Sequence, residues 1–226
     1  MIPLGARLKA VASFVRGGGV LADIGTDHAY LPVFLIQKGV VPYVIASDIG
    51  EGPLENAKKT VDAYGLADRI ELRLSNGLKR YAPNEVTEIV MCGMGGNLIE
   101  EILMDAHWVK TDRMHLVLQS MTHAEDVRRY LCENGFVIEK ESCVRDGGRV
   151  YLLISALWQN ASNVYEPGFY FFGKTLYQTG DANVITKKQY TRVLSRFLAL
   201  QKAGRNEGEQ ALLGKVLEYY NREKKQ

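Results

Sequence analysis

The stretch "VLADIGTDHAYLP", Val20 to Pro32, decides how the rest of the chain is read. It opens as a buried apolar strand, reaches an acid at Asp23, and turns at Gly25. A dinucleotide-binding loop starts the same way and needs G-x-G-x-x-G, so that backbone amides can approach a pyrophosphate at a helix N-terminus. Gly25 fills the first of those positions, but Asp27 and Tyr30 occupy the other two. A carboxylate at Asp27 would repel a pyrophosphate and attract a sulfonium. S-adenosylmethionine has no phosphate and carries a cationic sulfur and an amino group, so the loop predicts that cofactor and argues against a nicotinamide.

Working outward, short apolar runs alternate with amphipathic stretches. Strands are expected over 19–25, 43–49, 69–75, 87–93 and 114–120, with helices over 30–39, 52–65, 97–106 and 123–135 between them. Strands separated by helical crossovers imply an α/β fold around a mostly parallel sheet. Residues 136–157 close this part with two strands around "RDGG", so the last strand is expected to enter antiparallel, the seventh of the sheet. From Trp158 to about Asn183 the rhythm is lost, and this segment reads as irregular and aromatic. Two amphipathic helices over 187–202 and 209–225, joined by "AGRNEG", then form a coiled-coil-like helical hairpin. The expected division is a cofactor-binding domain over 1–157 and a linker plus C-terminal hairpin over 158–226.

In such a sheet, ligands bind at the carboxyl ends of the strands. Asp23 closes the first strand and Asp48 the second, where an acid accepts hydrogen bonds from both ribose hydroxyls. Asn76-Gly77 follows the third, where an amide meets an adenine edge, and "MCGMGG" (91–96) follows the fourth, where an acceptor would face the methyl group. Any one of these commonly serves only as a cap or tight turn; four after four successive strands point to a cofactor site.

Composition narrows the class. Of 226 residues, 46% are hydrophobic and 24% charged, an ordinary soluble balance. No apolar run approaches the ~18 to 20 residues that span a bilayer, and the N-terminal stretch is expected to be a helix of the fold, not a signal peptide. Cys92, Cys132 and Cys143 have no CxxC spacing and indicate a reducing, cytoplasmic setting. His28, His107, His115 and His123 lack metal-ligand spacing, so no metal is expected. Residues 1–156 carry 17 Lys and Arg against 20 Asp and Glu, whereas residues 157–226 carry 11 against 6. The basic tail suits a polyanionic partner.

These blocks resemble the bacterial TrmK family of tRNA (adenine-22 N1)-methyltransferases. "DIGTDHAYLP", "ASDI", "NGL", "GMGG" and "LQS" are similar to that family's ordered motifs over about residues 1–157, and the tail is similar in architecture. The resemblance implies a Rossmann-like class I methyltransferase fold. It implies that Gly25, Thr26, Asp27, His28, Asp48, Ile49, Asn76, Gly77 and Gly93 line S-adenosylmethionine, with Asp23 beside them. It also implies that Tyr30, Met94, Gly95 and Gly96 face the target base. Two departures are visible: the family more often has an acid near Ser75-Asn76, and a proline after "LQ" where Ser120 stands.

Adenine N1 has an in-plane lone pair and needs no deprotonation, so alignment is the main task, and positioning alone contributes roughly 7–11 kcal/mol. Asp27 is either a cofactor ligand or the electrostatic partner of the cationic product base. Tyr30 offers a stacking surface for an unpaired or flipped-out adenine. Arg7, Lys9, Lys187, Lys188, Arg192 and Arg196 are the candidate phosphate contacts on tRNA, the last three at i, i+4 and i+8 on one helix. The expected protein is a monomer with no obligate protein partner. A small-molecule methyltransferase and a non-catalytic RNA-binding module are the competing readings.

Overall fold

A computed structural model describes residues 1–161 and 163–225. Seven strands form one sheet: β1 (Val20–Ile24), β2 (Tyr43–Asp48), β3 (Ile70–Leu74), β4 (Glu88–Gly95), β5 (His115–Thr122), β6 (Phe136–Asp146) and β7 (Arg149–Trp158). Their order is β3-β2-β1-β4-β5-β7-β6, and only β7 runs antiparallel to its neighbours. The β6–β7 turn therefore folds β7 back between β5 and β6, which the apolar pattern alone does not specify. The helices α1 (Ala6–Ala12), α2 (Tyr30–Gln37) and α3 (Glu51–Ala63) cover one face, packing Val11, Leu35, Ile36 and Val61 on Leu21, Val44 and Val90. The other face is covered by α4 (Gly96–Asp105) and α5 (Ala124–Glu133), through Ile99, Leu103, Val127 and Leu131. Strands covered on both faces read as near-continuous apolar runs, which is why their positions are legible in the sequence.

β4 continues two residues beyond its expected end, through Met94 and Gly95, with shifted register against β5. The segment expected to be irregular contains a short helix, α6 (Pro167–Phe172), and a 3-10 turn over Gly173–Tyr177. It is aromatic without a helical period because Tyr170 and Phe172 are buried in different surroundings, one against the sheet's core and one against the hairpin's. The hairpin is α7 (Asp181–Ala203) and α8 (Glu207–Glu223), so α7 begins six residues earlier than its amphipathic stretch suggests. Val193, Leu200, Leu213 and Val216 form its core. At Gly168 a side chain would collide with the Tyr219 ring, so α6 and α8 touch through bare backbone.

The hairpin region is fastened to the sheet by a buried ion pair. Arg128 of α5 donates through Nε to Glu141 of β6 at 2.6 Å, with both side chains almost wholly buried. Its Nη1 donates to the carbonyls of Tyr170 (2.9 Å) and Phe171 (3.2 Å) at the end of α6. The second oxygen of Glu141 accepts the backbone N–H of Lys174 at 2.5 Å. Each charge thus has partners that offset its desolvation. Removing one partner of such a pair typically costs about 3–5 kcal/mol, more than the intact pair contributes. Urea unfolding of Arg128→Ala should show a loss of that order, and of the paired replacement Arg128→Met with Glu141→Leu a smaller one. A loss below about 1 kcal/mol for Arg128→Ala would contradict the fastening role.

Candidate active site

The strand order changes direction at β1: the chain proceeds to β2 and β3 on one side, then crosses to β4 and β5 on the other. That switch point leaves a crevice at the carboxyl ends of β1 and β4. Ile24 lies beside Met91, so the chain leaves β1 at Gly25 next to Cys92 and Gly93. Gly25 (φ 75°) and Gly93 (φ 87°) both hold left-handed backbone. A Cβ on Gly25 would strike the Met94 methyl, and one on Gly93 would lie 3.5 Å from the Arg7 guanidinium. The crevice is a cradle that side chains would fill.

Its β1 wall is a strained turn. Asp27 (φ 52°) and Ala29 (φ 54°) are non-glycine residues in left-handed backbone, a conformation held only when the surroundings enforce it. The enforcement is visible: Gly25 and Thr26 both donate their backbone N–H to the Ser47 carbonyl of β2, at 2.8 and 2.9 Å. Asp48 follows, its Oδ1 accepting the N–H of Gly50 at 3.0 Å and its Oδ2 lying 3.4 Å from the N–H of Asp27. Asp23 is buried and accepts a 2.6 Å bond from the Thr26 hydroxyl. Burial pushes its carboxyl up to about 6, against that hydrogen bond and with a further push from the Asp48 charge.

Other expected residues fall around this wall. The Asp27 carboxylate is exposed at the rim, 3.6 Å from His28 Nε2, and the His28 ring stacks on Tyr30 with centroids 5.1 Å apart. The sequence shows no evident acid–histidine dyad, because an i, i+1 pair meets only when the backbone turns as it does here. Tyr30 is 42% exposed at the start of α2, and Ile49 is exposed beside Asp48. Asn76 and Gly77 follow β3, and a Cβ on Gly77 (φ 56°) would collide with Ile102, so this glycine also admits α4. A side chain at Gly96 would meet the carbonyls of Thr122 and His123, which seats the "GMGG" turn against the end of β5. A cavity of about 360 Å³ on the α4 side, bordered by Leu78, Tyr81, Ile102 and Trp108, includes Asn76 alone of the expected site residues.

Sequence reasoning missed one cluster. Arg7 reaches from α1 to Cys92 Sγ (3.0 Å) and Gln119 Oε1 (2.9 Å), with its guanidinium 5.5 Å above the Tyr151 ring. No local pattern joins residues on α1, β4, β5 and β7. Burial pushes the Cys92 thiol up to about 11, so it is no thiolate nucleophile. The other expected cations divide. Arg192 is ion-paired with Glu125 at the start of α5, and Arg196 with Glu209 across the hairpin at 2.8 Å. Lys9, Lys187 and Lys188 are exposed and make no ion pair among the described residues. No cluster of metal-ligating side chains occurs among the described residues, and no helix among them is long and apolar enough to cross a membrane.

A parallel sheet with one antiparallel strand, and a glycine-lined crevice flanked by acids at its switch point, define a cofactor-dependent group-transfer enzyme of the methyltransferase class. The family model "Methyltransferase domain" matches residues 4–154, and the chain belongs to that family. It is 34% identical over 155 residues, 69% of this chain, to the Bacillus subtilis (strain 168) tRNA (adenine(22)-N(1))-methyltransferase, and the aligned stretch spans 65% of that relative's length. The crystal structure of the B. subtilis m1A22 tRNA methyltransferase TrmK superposes with a TM-score of 0.86 at 26% identity, covering 100% of this chain and 99% of that one. Streptococcus pneumoniae Sp1610, solved in complex with S-adenosyl-L-methionine, superposes with a TM-score of 0.79 at 30% identity over 93% and 98% of the two chains.

The raised carboxyl of Asp23 has a measurable consequence. Its folded value of about 6 exceeds the ordinary 3.8, so the folded chain holds this proton more tightly than the unfolded one. The stability it contributes is present at low pH, falls as pH rises from about 4 to about 6, and stays lost above that. Urea unfolding of Asp23→Asn should therefore improve relative to wild type by about 1–3 kcal/mol between pH 4 and pH 7. An unchanged difference between the two proteins across that range would contradict the assignment.

Proposed function

We propose that the chain transfers the methyl group of S-adenosylmethionine to N1 of an unpaired or flipped-out adenine in the D-loop region of tRNA, at position 22. The observation that carries this reading is the crevice between β1 and β4, a cradle with bare glycine on both walls and acids on the β1–β2 side. Its residues suit S-adenosylmethionine: carboxylates toward a cationic ligand, and no phosphate-cradling glycine at Asp27 or Tyr30. When bound, the cofactor supplies an electrophilic methyl on a positively charged sulfur. Asp48 accepts the ribose hydroxyls and Asn76 meets the adenine edge, with Asp23, Gly25, Thr26, His28, Ile49, Gly77 and Gly93 completing the lining.

The chain's own contribution is alignment. Tyr30, backed by the His28 ring, gives the target base a stacking face. The Met94–Gly96 turn would hold that base against the bound cofactor. Asp27 presents its backbone N–H toward Asp48 and its carboxylate toward the rim. We therefore favour the electrostatic role for its side chain, facing the base that becomes cationic. No general base is needed. Residues 1–157 carry the chemistry, and residues 158–226 meet the RNA through Lys187 and Lys188, with Lys9 on α1. Arg192 and Arg196 would have to exchange a carboxylate for a phosphate, so they serve first to hold the hairpin. A monomer working in the cytoplasm fits these parts.

Two substitutions separate the roles. Asp48→Ala should weaken S-adenosylmethionine binding by at least about tenfold and leave tRNA affinity within about twofold. Lys187→Glu with Lys188→Glu should leave cofactor affinity unchanged and lower tRNA affinity. The log–log salt slope should fall by about one for each phosphate that is no longer neutralised. Normal cofactor binding by the first variant, or wild-type tRNA affinity at low salt in the second, would overturn the corresponding assignment. For Asp27→Asn, kcat should fall while the affinity for S-adenosylhomocysteine stays within about twofold; the reverse pattern would make Asp27 a cofactor ligand.

A further inference from the structure

The cavity of about 360 Å³ beside α4 has no part in the chemistry above. It starts at Asn76, just beyond β3, and follows α4 past Ile102 to Trp108 in the 3-10 turn His107–Val109. Its volume falls at the lower end of the ~300–1,000 Å³ of small-molecule sites and suits a ligand the size of a nucleoside. Leu78, Tyr81, Ile102 and Trp108 give it an apolar and partly aromatic lining. Three charged side chains border it as well. Lys79 and Asp105 pair with each other at 3.3 Å, so their charges cancel. Glu101, one turn before Asp105 on α4, is exposed and makes no ion pair or hydrogen bond among the described residues.

The cavity thus keeps one uncompensated carboxylate beside aromatic side chains. Aromatic rings attract a cation through their faces, and a carboxylate adds a direct charge contact. A ligand bearing phosphate would meet the same carboxylate and be repelled, so neither a nucleotide nor an RNA strand suits this cavity. A flat heterocycle with a positive charge and no phosphate does. We propose that the cavity is a second binding site, for a free purine nucleoside made cationic by methylation on a ring nitrogen. N1-methyladenosine, positively charged at neutral pH, is the member of that class with the same base as the product of the methyl transfer proposed above. The choice of this member rests on that reading; the preference for a planar cation over its neutral counterpart does not. Asn76 borders both the cavity and the expected cofactor lining, so the occupant would lie beside a bound cofactor and outside the crevice.

The test compares two nucleosides that differ by one methyl group and one charge. The full chain, without tRNA, is titrated calorimetrically with N1-methyladenosine and with adenosine, before and after saturation with S-adenosylhomocysteine. Wild type should prefer the cation by roughly tenfold, in line with a cation–π contact and a charge partner together. That preference should persist with S-adenosylhomocysteine bound. Glu101→Gln, an exposed and nearly isosteric change, should reduce it below about threefold by weakening the cation alone. Trp108→Leu should weaken both nucleosides. The chain has only two tryptophans, so in Trp158→Phe the remaining emission belongs to Trp108, and N1-methyladenosine should quench it. The proposal is overturned if neither nucleoside binds, if the two bind equally, or if Glu101→Gln keeps the full preference. Binding that disappears once S-adenosylhomocysteine is present would place the nucleoside in the crevice and overturn it equally. Failure of S-adenosylhomocysteine itself to bind would remove the methyl-transfer reading, and the titrations of the unliganded chain and of Glu101→Gln would still decide this one.

Discussion

The carbonyl of Ser47 accepts two backbone hydrogen bonds, from Gly25 and Thr26, and the site hangs from that clasp. It ties the turn after β1 to the end of β2, and the turn can then hold Asp27 and Ala29 in left-handed backbone. Each such residue costs of order 1–3 kcal/mol unless its surroundings enforce it. The strain has a geometric product. It brings the Asp27 N–H toward Asp48, sets the Asp27 carboxylate beside His28, and starts α2 with Tyr30 at the rim. One constraint places the acids and the stacked His28 and Tyr30 rings together on one side of the crevice.

The opposite wall is built by close approach. Gly96 admits the Thr122 and His123 carbonyls where any side chain would stand, and Gly93 holds left-handed backbone beside Arg7. α5 begins just after that contact, and its first turn holds Arg192 through Glu125. Further along the same helix, Arg128 reaches Glu141 and the end of α6. The Met94–Gly96 turn and the hairpin thus both bear on one helix. This gives the hairpin cations a fixed bearing on the crevice, which a flexible tether would not.

Much of this is readable from the sequence because parallel strands buried on both faces are apolar runs, and because acids and glycines at their carboxyl ends stand out against them. Asp23, Gly25, Asp48, Asn76 and Gly93 are singled out in that way, and the fold places them at or just beyond those strand ends. What escapes the sequence depends on contacts between distant segments. The folding of β7 between β5 and β6 leaves no mark in the periodicity of either strand. α6 has no helical stripe because its aromatics are buried in two different directions. The stripe of Lys188, Arg192 and Arg196 is real as spacing, but only the fold shows Glu125 and Glu209 waiting for two of its three members. Arg7 looks like one more surface cation on an N-terminal helix, since nothing local to it points to Gln119, which lies 112 residues away.

The central claim is that this crevice aligns a sulfonium methyl with a tRNA adenine. Incubating the protein with labelled S-adenosylmethionine and unmodified bacterial tRNA, then identifying the modified nucleoside and its position by mass, tests it directly. The account predicts N1-methyladenosine at a single D-loop adenine. Label absent from every tRNA, under conditions where the cofactor demonstrably binds, would contradict it and transfer the methyl group's destination to a small molecule.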